Sequence, residues 1–149
     1  MIALNQILFA VLVLSAAISA ATALYALARR AAPGALPLSG FMLSMSVYAA
    51  AYGCELLAAD VAGITLCLRI EYLGISFLPP LYILTVTEMY AREKTRMRAG
   101  ATALFAVSIA TLLIHFTNGH HHLFYASVGI DSSGPFPVAA LTEGPWYWI

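Results

Sequence analysis

Four apolar runs, each long enough to cross a bilayer, constrain this chain more than any other feature. A transmembrane helix needs about 20 consecutive, mainly apolar residues. Residues 4–28, 38–58, 64–90 and 100–117 each meet or approach that length. The sequence is 62% hydrophobic and 9% charged, with a mean hydropathy of +0.87. A soluble domain is about half apolar and a quarter charged. The expected fold is therefore an all-α membrane protein, an antiparallel transmembrane bundle of four spans. The first run does not read as a signal peptide, because it lacks a basic start and its positive charges, Arg29 and Arg30, follow it.

Seven basic and seven acidic residues cancel, so net charge gives no reason to expect a nucleic-acid partner, and none is expected. Their placement is informative. Basic residues cluster in 29–37 and in 91–99, with only Arg69 elsewhere. The positive-inside rule puts both loops in the cytoplasm of a cell with a multi-pass plasma-membrane protein, and the N-terminus outside. Residues 118–144 are too polar and too rich in Gly and Pro to span. The runs 123–130 and 136–142, around the turn signal Asp131-Ser132-Ser133-Gly134-Pro135, predict a small extracytoplasmic β-hairpin. Its apolar residues Leu123, Phe124, Tyr125, Phe136, Val138 and Leu141 suit a lid over the bundle mouth. Pro145-Trp146-Tyr147-Trp148-Ile149 resembles an aromatic belt opening a fifth span, so a longer protein is expected.

The third run carries the chemistry. It reads Arg69-Ile-Glu71-Tyr72-Leu-Gly-Ile-Ser76-Phe-Leu-Pro79-Pro80. A charge inside a span costs about 2.5–3.5 kcal/mol on insertion scales, so it faces a partner or a water-filled cavity. Arg69, Tyr72 and Ser76 share one helix face, while Glu71 is rotated about 200° from Arg69. Glu55, at matching depth on the preceding span, is the expected ion-pair mate of Arg69. That pair serves either to fix register or to build a ligand or proton site. Pro79 and Pro80 remove two backbone donors and predict a bend, a candidate hinge. Small residues Ser15, Ser19 and Ala23, with Ala16 and Ala20, mark a close helix contact.

The run Asn118-Gly-His120-His121-His122 invites a metal reading, but consecutive residues do not converge on one point and no Cys or carboxylate lies nearby. Asn118 is expected to cap the helix exit. The histidines, His121 among the candidate ligand contacts, sit at a wet interface where a pH-sensing role stays open. Cys54 and Cys67 form no metal motif and read as two buried thiols rather than a disulfide. No cofactor and no metal is expected. The chain has no Gly-rich phosphate loop, zinc-protease motif, nucleophile elbow or kinase phosphoacceptor histidine, so on its own it should catalyse nothing.

The ordered set Arg69-x-x-Tyr72-x-Gly74-Ile75, Pro79-Pro80, Tyr90, then Thr117-Asn118-x-His120-His121-His122-Leu123-Phe124-Tyr125 and Gly144-Pro145-Trp146-Tyr147 resembles the seven-transmembrane N-terminal region of sensor histidine kinases. Similar regions also precede diguanylate cyclase and PAS modules. The resemblance implies an N-out bundle of seven helices feeding a cytoplasmic output module, with three helices and the output beyond this chain. The expected function is a membrane-embedded sensory input domain of bacterial or archaeal two-component signal transduction. Its partners would be membrane lipid and a small-molecule or physical signal at the outer face, with a homodimer left open. The alternatives are a small transporter or channel subunit using the Arg69–Glu55 region as a polar path, or a structural tetraspan scaffold. A transporter should show polar breaks in both halves; this sequence shows one.

Overall fold

The computed structural model describes residues 2–58, 60–90, 94–131 and 138–148. The helices are α1 (Ile2–Ala28), α2 (Ala35–Glu55), α3 (Val61–Ile75), α4 (Leu78–Tyr90), α5 (Lys94–Phe116) and the single turn α6 (Asn118–His121). Strands β1 (Tyr125–Asp131) and β2 (Val138–Glu143) follow, then a 3-10 turn, Pro145–Trp148. Four stretches are long and apolar enough to cross a membrane: Leu4–Ala28, Ala35–Glu55, Val61–Tyr90 and Thr95–Phe116. The chain is a mostly helical membrane bundle with a two-stranded antiparallel sheet at one end.

Burial is reversed relative to a water-soluble protein. Leu14, Ile18, Leu24, Ile109 and Leu113 are exposed, whereas Ala16, Ala23, Ala26, Ala49, Ser39, Thr87 and Ser108 are buried. Lipid is as apolar as leucine, so helices associate through close packing of small residues and through hydrogen bonds. The α1–α2 seam is built this way. Ser46 Oγ donates to the Ala16 carbonyl and Ser39 Oγ to the Ala23 carbonyl, each at 2.9 Å. Both serines and both alanines are seven residues apart, so two turns of each antiparallel helix stay in step. Each bond is worth about 0.6 kcal/mol in such a setting. Gly74 performs the same service between α3 and α2: a Cβ there would strike the Ser44 carbonyl and the Tyr48 amide.

The expected 64–90 helix is two helices. The chain breaks at Ser76–Phe77, and Pro79 and Pro80 enter the first turn of α4, where a missing N–H leaves no gap in that helix. The break falls before the prolines because Pro79 and Pro80 have no N–H to give the Ile75 and Ser76 carbonyls four residues back, while Ser76 itself keeps right-handed helical backbone. The Ser76 carbonyl, whose partner in a continuous helix would be the Pro80 nitrogen, accepts a hydrogen bond from Ser108 Oγ of α5 instead. The α2 and α3 helices start three residues earlier than expected, at Ala35 and Val61. Asp60 caps α3 by accepting from the Gly63 amide at 2.9 Å. The helix expected from 100 begins at Lys94, since Lys, Arg and Ala are good helix formers that extend a span beyond its apolar part. Arg98 on this extension forks onto Glu88 Oε1 at 2.8 and 2.6 Å, tying α5 to α4.

The hairpin pairs Ser127 with Thr142 through Asp131 with Val138, with an irregularity between Tyr125 and Ser127. The strands are offset from the expected 123–130 and 136–142. The expected turn at 132–135 and Phe136 lie outside the described residues, as does Arg92 of the basic loop. Phe124 and Tyr125 form one buried cluster with Ile64 and Leu68 of α3, and Val128, Ile130, Ala139 and Leu141 pack against it. Leu123, read as part of the apolar lid, is exposed. Cys54 and Cys67 are free thiols, but Cys54 is exposed rather than buried, because Gly53 and Glu55 take the inward positions beside it.

Candidate functional site at the hairpin end

The site is assembled where α2 ends, α3 begins, α5 ends and the hairpin folds back. Asn118 holds the return. Its Oδ1 accepts from the Phe124 and Tyr125 amides at 2.8 and 3.2 Å, and its Nδ2 donates to the Tyr125 carbonyl at 2.8 Å. The expected helix-capping role is therefore replaced by a clamp on the entry to β1. Thr117 occupies the N-cap of α6 without a side-chain cap, and Asn118 is its first residue. Gly144 completes the return. Its amide donates to the Phe124 carbonyl at 2.7 Å, and a side chain there would collide with the Leu123 carbonyl.

This clamp places a stack of rings. His115 of α5 is 5% exposed and lies face to face with Tyr72 of α3, centroids 4.2 Å apart and planes inclined 19°. Phe124 meets both rings edge-on, at 4.9 Å from Tyr72 and 5.0 Å from His115. Tyr125 and Tyr147 extend the cluster. Burial pushes the Tyr125 phenol above the usual tyrosine range, and the neighbouring Tyr72 hydroxyl adds to the rise.

Two cavities flank the stack. The first, about 200 Å³, is lined by Arg69, His115, Asn118, His122 and the start of β1. The second, about 330 Å³, lies between α2, α3 and the hairpin. It is lined by Glu55, Glu71, Tyr48, Tyr52, Tyr72 and Tyr125, with Tyr147 at its edge. The candidate residues thus divide. Arg69 belongs to the first cavity; Tyr72, Glu55 and Glu71 belong to the second. Ser76 lies in neither, buried at the α3–α4 break.

The expected Arg69–Glu55 ion pair does not form. Arg69 is exposed, and no ion pair or hydrogen bond joins it to Glu55 among the described residues. The reason is rotational. The face of α3 turned toward α2 carries Ile64, Leu68, Glu71 and Gly74, all buried. Glu71 therefore meets Glu55, and Arg69, about 200° away, is carried round toward His115.

His121 is used locally. Its Nδ1 accepts from the Leu123 amide at 3.1 Å, and its other ring nitrogen lies 3.0 Å from Thr117 Oγ1. An accepting Nδ1 leaves the ring proton on Nε2, which donates to Thr117. His120 lies in α6 and His122 just after it, with His122 at φ 53°. No group of three His, Cys, Asp or Glu side chains able to hold a metal occurs among the described residues.

The model of the family described as the N-terminal 7TM region of histidine kinase matches residues 11–149. The chain belongs to this family. No curated protein and no solved structure matches it. As a member, it is an N-terminal membrane region of the kind found in histidine kinases. Tyr48 carries no sequence signal that marks it for the site, whereas His115 stands about one turn before Asn118 and extends the histidine run toward it. Tyr125 stood in the motif that carried the resemblance, but its place between the two cavities follows from the Asn118 clamp.

Proposed function

We propose that this region is the sensory input domain of a histidine kinase-like receptor, reading a signal at the outer face and relaying it to a cytoplasmic output module. The observation that carries this reading is the contact between loop and membrane helix: Phe124 and Tyr125, at the start of the hairpin, are stacked on Tyr72 of α3 and His115 of α5. A ligand or force that displaces the hairpin acts directly on α3. One turn beyond Tyr72 the helix breaks at Ser76–Phe77, and α4 leads to the opposite, basic end of the bundle. The break and Pro79-Pro80 act as the hinge between these two rigid segments. The basic loops supply the orientation, with the N-terminus and hairpin outside and residues 29–37 and 91–99 in the cytoplasm. The Arg69–His115–His122 cavity is the opening through which an outer solute reaches the ring stack.

The test uses the full-length protein in a reporter strain. Arg69→Leu and the pair Pro79→Ala/Pro80→Ala are expected to shift basal output several-fold at unchanged membrane abundance. Arg69→Lys should shift it less. Wild-type output from both Arg69→Leu and the proline pair, or a labelled hairpin that is accessible only from the cytoplasmic side, would overturn the reading.

A further inference from the structure

The second cavity has a chemistry of its own. Glu71 is 5% exposed, and its Oε1 has no hydrogen-bond partner among the described residues. A buried acceptor without a donor is costly, and the more so when charged. Glu55, 9% exposed, lies beside it on α2. The two carboxyls hydrogen-bond to each other, which needs a proton on one of them, so the pair carries at most one negative charge while Glu71 Oε1 stays free. The cation nearest in sequence, Arg69, is turned to the other cavity, and no Lys or Arg among the described residues lines this one. The wall thus offers two acids, an unfilled acceptor and no compensating positive charge.

The remaining wall is aromatic. Tyr48 and Tyr52 stack along α2 with centroids 6.1 Å apart and planes inclined 12°. Tyr72, Tyr125 and Tyr147 close the opposite side, the last two 6.1 Å apart. The negative faces of tyrosine rings attract cations, the more so where water is excluded. Leu56, Leu68 and Leu141 fill the gaps between the rings. An anion is disfavoured by both glutamates. A metal ion finds only two carboxylates in a largely apolar wall, fewer than the six to eight oxygens that calcium takes.

We propose that this cavity binds a small protonated organic amine: an N–H of the ammonium group donates to Glu71 Oε1, Glu55 shares the charge, and the tyrosine rings hold the apolar body. The unfilled acceptor selects a primary amine over a quaternary one, which has no N–H to give. The volume of about 330 Å³ lies at the small end of ligand pockets, in keeping with an amine of a few carbons. The inference deepens the sensory reading by naming the chemistry of a ligand. It is tested by binding, so that its failure and the failure of the signalling reading are separate results.

The experiment is calorimetric titration of the full-length protein in lipid nanodiscs, with empty nanodiscs subtracted. Butylamine is expected to bind saturably, butyltrimethylammonium several-fold more weakly, and butanol and butyrate not at all. Glu71→Gln keeps the shape of the side chain and leaves it unable to share the pair's negative charge, and should weaken butylamine at least tenfold. Tyr52→Leu, on the partly exposed side of the ring pair, should weaken it several-fold and serves as the readout if Glu71→Gln does not fold. Absence of butylamine binding, equal binding of butyrate, displacement of butylamine by sodium at equal concentration, or unchanged affinity in both variants would overturn the proposal. Saturable binding with no change in reporter output keeps the site and removes it from the signalling pathway.

Discussion

Replacing Ser108 by alanine tests how the broken third span is held together. Pro80 deprives the Ser76 carbonyl of the donor that a continuous helix would give it, and Ser108 Oγ supplies the substitute. The same hydroxyl lies 2.9 Å from the Leu104 carbonyl, its own i−4 position, so it bridges two helices. Both Ser76 and Ser108 are buried, which denies water to the freed carbonyl. An interhelical hydrogen bond in a membrane protein is worth about 0.6 kcal/mol, with a maximum near 1.7. Leaving a buried carbonyl unpaired moves the cost toward the upper part of that range. Ser108→Ala should therefore cost roughly 1–1.5 kcal/mol of stability. Pro80→Ala returns an N–H to the Ser76 carbonyl, so in that background the loss of Ser108 should cost near zero, even though Pro80→Ala has a packing cost of its own at this buried position. A double-mutant cycle isolates the coupling whatever that packing cost is. The assay is reversible unfolding in mixed micelles or bicelles for the four proteins of the cycle. If Ser108→Ala costs the same with and without Pro80, the hydroxyl is not replacing the missing amide and the reasoning is wrong.

Two further outcomes follow from the hairpin. Asn118→Ala removes three hydrogen bonds to Phe124 and Tyr125 and should cost roughly 2–3 kcal/mol locally. Hydrogen exchange at those two amides should rise by more than tenfold, and Asn118→Asp, which keeps the acceptor, should be intermediate; unchanged exchange in Asn118→Ala would refute the clamp. Tyr125 is held neutral by burial, its folded pKa lying above its unfolded value. Its contribution is therefore fully present below the unfolded pKa of about 10 and declines as pH rises through it. Protection of the hairpin should fall above pH 10 in the wild type and fall less in Tyr125→Phe; identical profiles would show that Tyr125 is not buried.

The spans and a break close to the double proline were legible because each is a one-dimensional property; of the expected small-residue stripe, Ala16 and Ala23 face α2 but Ser15 is exposed. Length and hydropathy mark a span, spacing marks a stripe, and a missing amide marks a break. The α1–α2 contact follows from Ala16 and Ala23 on one helix and Ser39 and Ser46 on the other, two pairs with the same separation. Helix ends were less legible. The basic residues from Lys94 onward read as loop on hydropathy but form the first turns of α5, because charge excludes lipid without excluding helix.

The pairing of the charges within the spans was misread for a reason specific to membranes. In a soluble helix the apolar face identifies the core side, and the position of a charge relative to it can be read from the sequence. In α3 Leu66, Ile70 and Leu73 on the exposed side are as apolar as Ile64 and Leu68 on the buried side. Spacing then shows that Arg69 and Glu71 point apart, and leaves open which of them faces α2. Depth matched Arg69 to Glu55, but depth is a coordinate along the helix and the choice is one of rotation. Gly74 decides it. Only the face that carries Gly74 can approach the Ser44 carbonyl closely, and Glu71 is on that face, three residues before it. The glycine that allows the two helices to touch is therefore also what brings two acids together, turns the arginine away from them, and leaves an unfilled acceptor among five tyrosines.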